Sequence, residues 1–187
     1  KHKNVVLVGP GCGVNERTLL WASRALSLSK TVVLDADALT CFSSEPESLF
    51  NLVAAGTVLT PHEGEFNRLF DGSTSADKIT RARLAAQRSG AVVIFKGNDT
   101  VVAEPGGAVV ISSNGPAALA TAGTGDVLAG IVAGFLAQGC SPFDASSIGV
   151  WCHGLAAQRV GESLISNDLL RQIPIVIKQL FIKKLDA

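Results

Sequence analysis

Four short runs rich in β-branched residues, at positions 5–8, 31–34, 57–59 and 91–95, recur along the chain with helix-forming segments between them. No other feature constrains the fold as much. The runs are apolar throughout rather than alternating, which suits strands covered on both faces. Strand-helix-strand order implies a mostly parallel sheet with right-handed crossovers, and so a three-layer α/β/α architecture. The first run ends in Gly9-Pro10-Gly11-Cys12-Gly13, after which Asn15 stands where an N-cap opens a helix to about Leu28. Asp35-Ala36-Asp37 closes the second run, and a polar stretch at 43–47 precedes a short helix. Further helices are predicted over 63–70 and 77–89. Runs at 101–103 and 109–111 then flank Glu104-Pro105-Gly106-Gly107-Ala108, which reads as a hairpin. From Gly125 onward the chain reads as helical over 127–138, 143–160 and 168–184, with breaks at Gly139, Pro142 and residues 161–167. With no internal repeat or linker, residues 1–187 are read as one domain.

The 187 residues carry a formal net charge of zero, and the basic residues are scattered. The electrostatic footprint of a nucleic-acid or membrane-surface binder is therefore absent. Hydrophobic residues reach 47% and charged ones only 17%, below the roughly 25% usual for soluble domains. Apolar surface beyond a two-sided sheet is best covered by a protein interface, so a homo-oligomer is expected. No apolar run is long enough to span a bilayer, and no signal-like segment is present, which predicts a soluble, cytoplasmic chain. Cys12, Cys41, Cys140 and Cys152 are far apart and match neither a zinc spacing nor a disulfide framework. The sequence has no methionine, even at position 1, where Lys1 and an exposed His2 lead straight into the first run. It is expected to be part of a longer product.

Ligands of open parallel sheets lie beyond the carboxyl ends of the strands, and each loop there is unusual. The strongest motif is Ala120-Thr121-Ala122-Gly123-Thr124-Gly125-Asp126, which leads into a small-residue helix. Glycines let successive N–H groups converge, and the helix start adds its positive end, so Gly123, Thr124 and Gly125 form a candidate anion hole. Asp126, beside a bound phosphoryl group, is placed to take a proton from an attacking hydroxyl. A glycine turn capped by an Asp explains the same residues. Lys96-Gly97-Asn98-Asp99-Thr100 offers an ammonium, close backbone approach and a hydroxyl, suited to nucleotide phosphates; a solvated strand-end Lys is the simpler account. Asn114-Gly115 either contacts nucleotide or makes a turn. His62 is a substrate-binding candidate or a structural hydrogen-bonder, with Glu63 and Glu65 as first-turn carboxylates. Asp35 and Asp37 are candidates to hold a magnesium ion through water, or helix caps. His153, in an apolar helix, reads as structural.

Taken in order, Val8-Gly9-Pro10-Gly11-Cys12-Gly13, Leu34-Asp35-Ala36-Asp37-Ala38-Leu39, Thr60-Pro61-His62-Glu63-Gly64-Glu65, Lys96 through Thr100, and Ala120 through Gly130 resemble the ADP- or ATP-dependent NAD(P)H-hydrate dehydratases. These are a branch of the ribokinase-like superfamily. The glycine turn alone would say only ribokinase-like kinase, such as one acting on a vitamin precursor; the His62 segment narrows it. The resemblance implies repair of hydrated NADH or NADPH by phosphorylation of the ring hydroxyl and loss of phosphate, with ADP (or ATP) as co-substrate and Mg2+ as cofactor. It implies Asp126 as the base, Gly123 to Gly125 over the transferred phosphoryl, and Lys96, Gly97, Asn98, Asp99, Thr100 and Gly125 on the nucleotide. Gly11 or Gly13, His62 and Asp126 would face the hydrated nicotinamide. The family also carries further N-terminal strands and a glycine-rich segment that this sequence lacks, and its members are often fused to, or work with, an NAD(P)H-hydrate epimerase. A non-catalytic nucleotide-binding chain is the alternative from another class.

Overall fold

The computed structural model describes residues 4–28, 31–70 and 77–183. The expectations for Lys1, His2 and Lys184 lie outside them. Six strands form one sheet in sequence order: β1 (Val6–Val8), β2 (Thr31–Leu34), β3 (Gly56–Leu59), β4 (Val92–Phe95), β5 (Thr100–Ala103) and β6 (Val109–Ser112). β1 through β4 are parallel, in a register that sets Leu7 beside Val33, Val33 beside Val58 and Leu59 beside Val93. β5 and β6 then add as an antiparallel hairpin, with Ile94 opposite Val102 and Val101 opposite Ile111.

Continuous apolar runs are explained by burial on two sides. Val32, Leu34, Leu59 and Val8 pack with α1 (Glu16–Leu28), α2 (Asp37–Thr40), α3 (Pro46–Phe50) and α4 (Glu63–Leu69). On the same side, Val93, Phe95, Val101 and Ala103 meet Phe66 of α4 and the alanines of α5 (Lys78–Ser89). The intervening residues Val33, Val58, Val92, Ile94 and Val102 face the other way, onto α6 (Thr124–Ala137), α7 (Pro142–Val160) and α8 (Ser166–Lys183). Each such side chain contributes about 1.5–3 kcal/mol on leaving water. Three layers result, as expected.

Local signals set the helix ends. Asp77 caps α5 by accepting from the N–H groups of Ile79 and Thr80, and Gly90, in the left-handed region, closes it. Ser141 caps α7, with Pro142 in its first turn. Gly149 lets α7 lie against α6, since a Cβ there would stand 2.9 Å from Val132 Cγ2. Three elements differ from expectation. α2 and a 3-10 turn at Ala117–Ala120 form where only loops are predicted, and α6 opens at Thr124, three residues before the predicted 127, because Gly125 lies inside its first turn. Among the described residues no helix is long and apolar enough to cross a membrane.

Candidate active site

Because β1 to β4 run parallel, the loops that follow them gather at one edge of the sheet, and hydrogen bonds tie them together. Asp35, 1% exposed, is the knot: its Oδ1 accepts from the Thr60 hydroxyl at 2.6 Å and from the Lys96 ammonium at 2.8 Å. Main-chain bonds run beside it, from Asp35 N to Val8 O at 3.1 Å, Thr60 N to Leu34 O at 3.1 Å and Lys96 N to Pro61 O at 2.9 Å. Gly9 has φ 133°, and a Cβ on it would overlap the carbonyl oxygen of Asp35. Only glycine fits there. Ala36 holds φ 48°, ψ −120°, outside the regions usual for a side chain, which costs about 1–3 kcal/mol. Asp37 on its other side accepts the Gly13 N–H at 2.7 Å.

The two magnesium candidates each have a partner in the fold: Asp35 pairs with Lys96, whose positive charge disfavours a second cation beside it, and Asp37 accepts the Gly13 N–H. Among the described residues no group of three or more His, Cys, Asp or Glu side chains could hold a metal ion. A magnesium ion would therefore draw most of its ligands from water and nucleotide phosphates rather than from a protein cage.

Lys96 reaches from β4 to the start of α6, where a Cβ on Gly125 would stand 3.4 Å from its Nζ. The turn itself is built as its glycines suggest. Gly123 is left-handed at φ 83°, and the N–H groups of Gly125 and Asp126, in the first helical turn, have no acceptor one turn back within the helix. Thr124 plays another part: its hydroxyl donates to the carbonyls of Leu119 at 2.7 Å and Thr121 at 2.9 Å, bracing the 3-10 turn against α6. His153 braces the same point from α7, with Nε2 at 2.9 Å from the Thr124 carbonyl oxygen. A carbonyl can only accept, so Nε2 carries the proton. Burial pushes the His153 pKa down to about 4, and the ring is neutral at pH 7. Asp126 stands exposed on the first turn.

Between this turn, the hairpin and α7 lies a cavity of about 410 Å³, in the size range of small-molecule sites. It is lined by Lys96, Gly97, Asn98 and Thr100 of the β4–β5 loop, by Thr124, Gly125 and Leu128 of α6, by Asn114 to Ala117 and Leu119, and by Val150 and Gly154 of α7. Asn114 is locked in the rim. Its Oδ1 accepts from Ser112 at 2.7 Å, its Nδ2 donates to Trp151 O at 2.9 Å, and its carbonyl accepts from Gln158 at 2.7 Å. A Cβ on Gly154 would overlap its carboxamide. The loop Lys96–Thr100 is pinned from outside by Lys78, whose ammonium bonds the Asp99 carbonyl and lies 3.2 Å from Asp99 Oδ1. It passes where a side chain on Gly97 would be. Asp99 thus faces Lys78 rather than the cavity.

The expected nucleotide residues therefore share one cavity, Asp99 excepted. Gly11, Gly13, His62 and Asp126 lie outside its lining. Gly11 and Gly13 are both left-handed, in the loop after β1. His62 caps α4: its Nδ1 accepts from Gly64 N at 3.0 Å and Glu65 N at 3.4 Å, while Glu65 Oε2 accepts the His62 N–H at 2.9 Å. The structural role left open for it in the sequence is seen here; its Nε2 also lies 3.4 Å from Glu65 Oε1, while the side chain stays 55% exposed. Arg81 steadies the same turn through Glu63 and Asn67, holding the Glu63 carboxyl below its usual range. Lys78 and His153 were not singled out as site residues from sequence. A glycine inside a long helix, Gly154, was the available hint of close approach at the cavity wall.

A family model described as NAD(P)H-hydrate dehydratase matches residues 1–175. The chain is 40% identical over 185 residues to the bifunctional NAD(P)H-hydrate repair enzyme Nnr of Salinibacter ruber, covering 95% of this chain and 34% of that protein. It is 39% identical over 167 residues to the ADP-dependent (S)-NAD(P)H-hydrate dehydratase of Neisseria meningitidis serogroup B, covering 86% of this chain and 56% of that protein. It thus spans about a third to just over half of these relatives. The fold is similar to that of the ADP/ATP-dependent NAD(P)H-hydrate dehydratase of Bacillus subtilis co-crystallized with ATP/Mg2+ and soaked with CoA. That match has a TM-score of 0.84 at 28% identity, over 96% of this chain and 67% of that one.

Proposed function

Since the chain belongs to the NAD(P)H-hydrate dehydratase family, we propose that it carries the active-site part of an enzyme that dehydrates the S epimer of hydrated NADH or NADPH, with ADP as phosphoryl donor and ATP as an alternative. The observation that carries this reading is the convergence of a cation, a helix start and an apolar-walled cavity. Lys96 and Gly125 meet in the wall of a 410 Å³ space that Asn114 to Ala117, Leu128 and Val150 also line. Phosphates suit the cation and the helix start, and an adenine base suits the apolar lining.

In this reading the hydrate lies across the glycine turn from the nucleotide, against Gly11, Gly13 and the exposed ring of His62. The Asp126 carboxylate takes the proton of the ring hydroxyl. The hydroxyl oxygen forms a bond to the terminal phosphorus of ADP, the bond to the bridging oxygen breaks, and AMP leaves. Gly123 to Gly125 and Lys96 hold the negative charge on the transferred group. The C–O bond of the phosphorylated carbon then breaks with its electron pair going to phosphate, and a proton leaves the neighbouring ring carbon, re-forming the double bond. NAD(P)H, phosphate and AMP result. Magnesium belongs to this reading as a companion of the nucleotide phosphates, not as an ion held by Asp35 and Asp37. A cytoplasmic homo-oligomer, working with a fused or separate epimerase, belongs to it as well.

The test is incubation of the full-length protein with hydrated NADH and ADP or ATP, following NADH absorbance and nucleotide products. Recovery of NADH with equimolar AMP from ADP, or equimolar ADP from ATP, supports the reading. Phosphorylation of a hydroxymethylpyrimidine or hydroxyethylthiazole, without NADH recovery, would replace it with a vitamin-precursor kinase; inertness toward all of them would leave a binding chain.

A further inference from the structure

We propose that the hydroxyl of Ser166 is a phosphoryl-binding donor on the side of the glycine turn away from Lys96, an inference that rests on the phosphoryl-transfer reading above and extends it. Ser166 opens α8 and comes back to the turn from far along the chain. A Cβ built on Gly123 would stand 3.0 Å from Ser166 Oγ and 3.2 Å from its Cβ. Gly123 is thus glycine for two reasons: its φ of 83° suits no side chain, and the space a side chain would fill holds a hydroxyl.

Two residues on, a Cβ on Gly125 would meet Lys96 Nζ. The turn is flanked by a hydroxyl at its first glycine and an ammonium at its second, with the N–H groups of Gly125 and Asp126 following. A phosphoryl group in transfer spreads its charge over three outer oxygens, and donors aimed at it from several directions hold it better than donors from one.

The Ser166 hydroxyl is also uncommitted. The start of α8 is closed by Asp168, whose Oδ2 accepts from Ile165 N at 3.2 Å and whose N–H donates to Ile165 O at 3.0 Å. Neighbouring hydroxyls are engaged: Thr121 donates to Ala118 O at 2.9 Å, and Thr124 to the carbonyls of Leu119 and Thr121. Among the described residues Ser166 Oγ has no hydrogen-bond partner, and the residue is half-buried. A hydroxyl held against an anion turn and left unpaired has a ligand oxygen as its natural acceptor.

The experiment compares the full-length parent with Ser166→Ala and Ser166→Thr in two assays. One is steady-state dehydration of hydrated NADH with ADP; the other is calorimetry of inorganic phosphate binding to AMP-saturated protein. Loss of one donor to a charged oxygen should lower kcat about 10- to 100-fold with little change in KM for ADP, and weaken phosphate binding about 10-fold. Thr should restore most of both, because it restores the hydroxyl. If Ala keeps kcat and phosphate affinity within about two-fold of the parent, or if Thr fails to rescue a loss that follows the melting temperature, Ser166 packs the turn and binds nothing. A parent that does not recover NADH defeats the functional reading by itself, and the phosphate titration still decides the role of Ser166.

Discussion

Replacing Asp35 with Asn removes a charge from the knot that joins the strand-end loops while keeping its shape. Asp35 is 1% exposed and its Lys96 partner keeps 19% of its side chain in solvent, with 2.8 Å between the charged atoms. The Asn oxygen can still accept from Thr60, now at 2.6 Å from the carboxylate, so the loss falls on the Lys96 charge. Breaking a buried pair by removing one partner costs about 3–5 kcal/mol. The retained acceptor and partial exposure of Lys96 place this case near the lower end, about 3 kcal/mol, which lowers Tm by about 6–12 °C for a chain of this size. Adding Lys96→Met removes the orphaned cation and should return about 2 kcal/mol of that loss, a coupling that marks the two residues as one unit. Thermal and urea unfolding of the parent, both single variants and the double variant measure it. Strict additivity, or an Asp35→Asn variant melting within about 2 °C of the parent, would refute the idea that this pair holds the site together.

Asp126→Asn should fold and bind ADP normally but turn over about 10²- to 10⁴-fold more slowly, because Gly123 rather than Asp126 stands at the N-cap of α6 and Asn accepts no proton; rates of NADH recovery alongside melting temperatures separate a base from a first-turn charge that only stabilises the helix. Gly154→Ala should displace the Asn114 carboxamide from its bonds to Ser112 and Trp151, costing about 1–3 kcal/mol of stability and about 10-fold in ADP affinity, as read by unfolding and calorimetry. For His153, a folded pKa of about 4 against 6.5 means that the unfolded chain binds the extra proton first. The stability from keeping this ring neutral is complete above about pH 6.5 and is lost as pH falls toward 4, about 2 kcal/mol of it between pH 7 and pH 5. A His153→Phe variant should lack that share of the acid slope, and an unchanged slope from pH 7 to 5 would mean that the ring is already free to protonate in the fold.

The strands and long helices were legible because each announces itself locally: 31–34 and 91–95 are unbroken apolar runs, and Asn15, Gly139 and Pro142 mark helix ends. Short elements were not. α2 and the turn at Ala117–Ala120 are one turn each, too brief for a period to show, and Gly125 reads as the turn before α6 rather than as its first coil. Of the site, Lys96, Gly97, Asn98, Thr100 and Gly125, though not Asp99, share one cavity, and could be singled out together because glycine, lysine and a helix start signal anion binding by their own chemistry. What the sequence hid was pairing at a distance. Nothing near Lys96 signals Asp35, 61 positions away, nothing near Asp99 signals Lys78, and Ser166 becomes visible beside Gly123 only once α8 is folded back.

The change from parallel to antiparallel after β4 sorts the connections by how freely they can vary. Lys96–Thr100 must turn back within a few residues at the ligand edge, since β4 and β5 pair directly, so its length is as fixed as its chemistry. The reversal at Glu104–Ala108 falls at the opposite edge, closed by bonds from Glu104 N to Ala108 O and from Gly107 N to Glu104 O, and lines no part of the cavity described above. Extra residues inserted there lengthen a surface loop, a change whose entropic cost grows only slowly with length. The hairpin tip is therefore the place to graft a tag, a fluorophore or new chain termini, allowing the cavity to be watched from the far side of the sheet without touching the residues that line it.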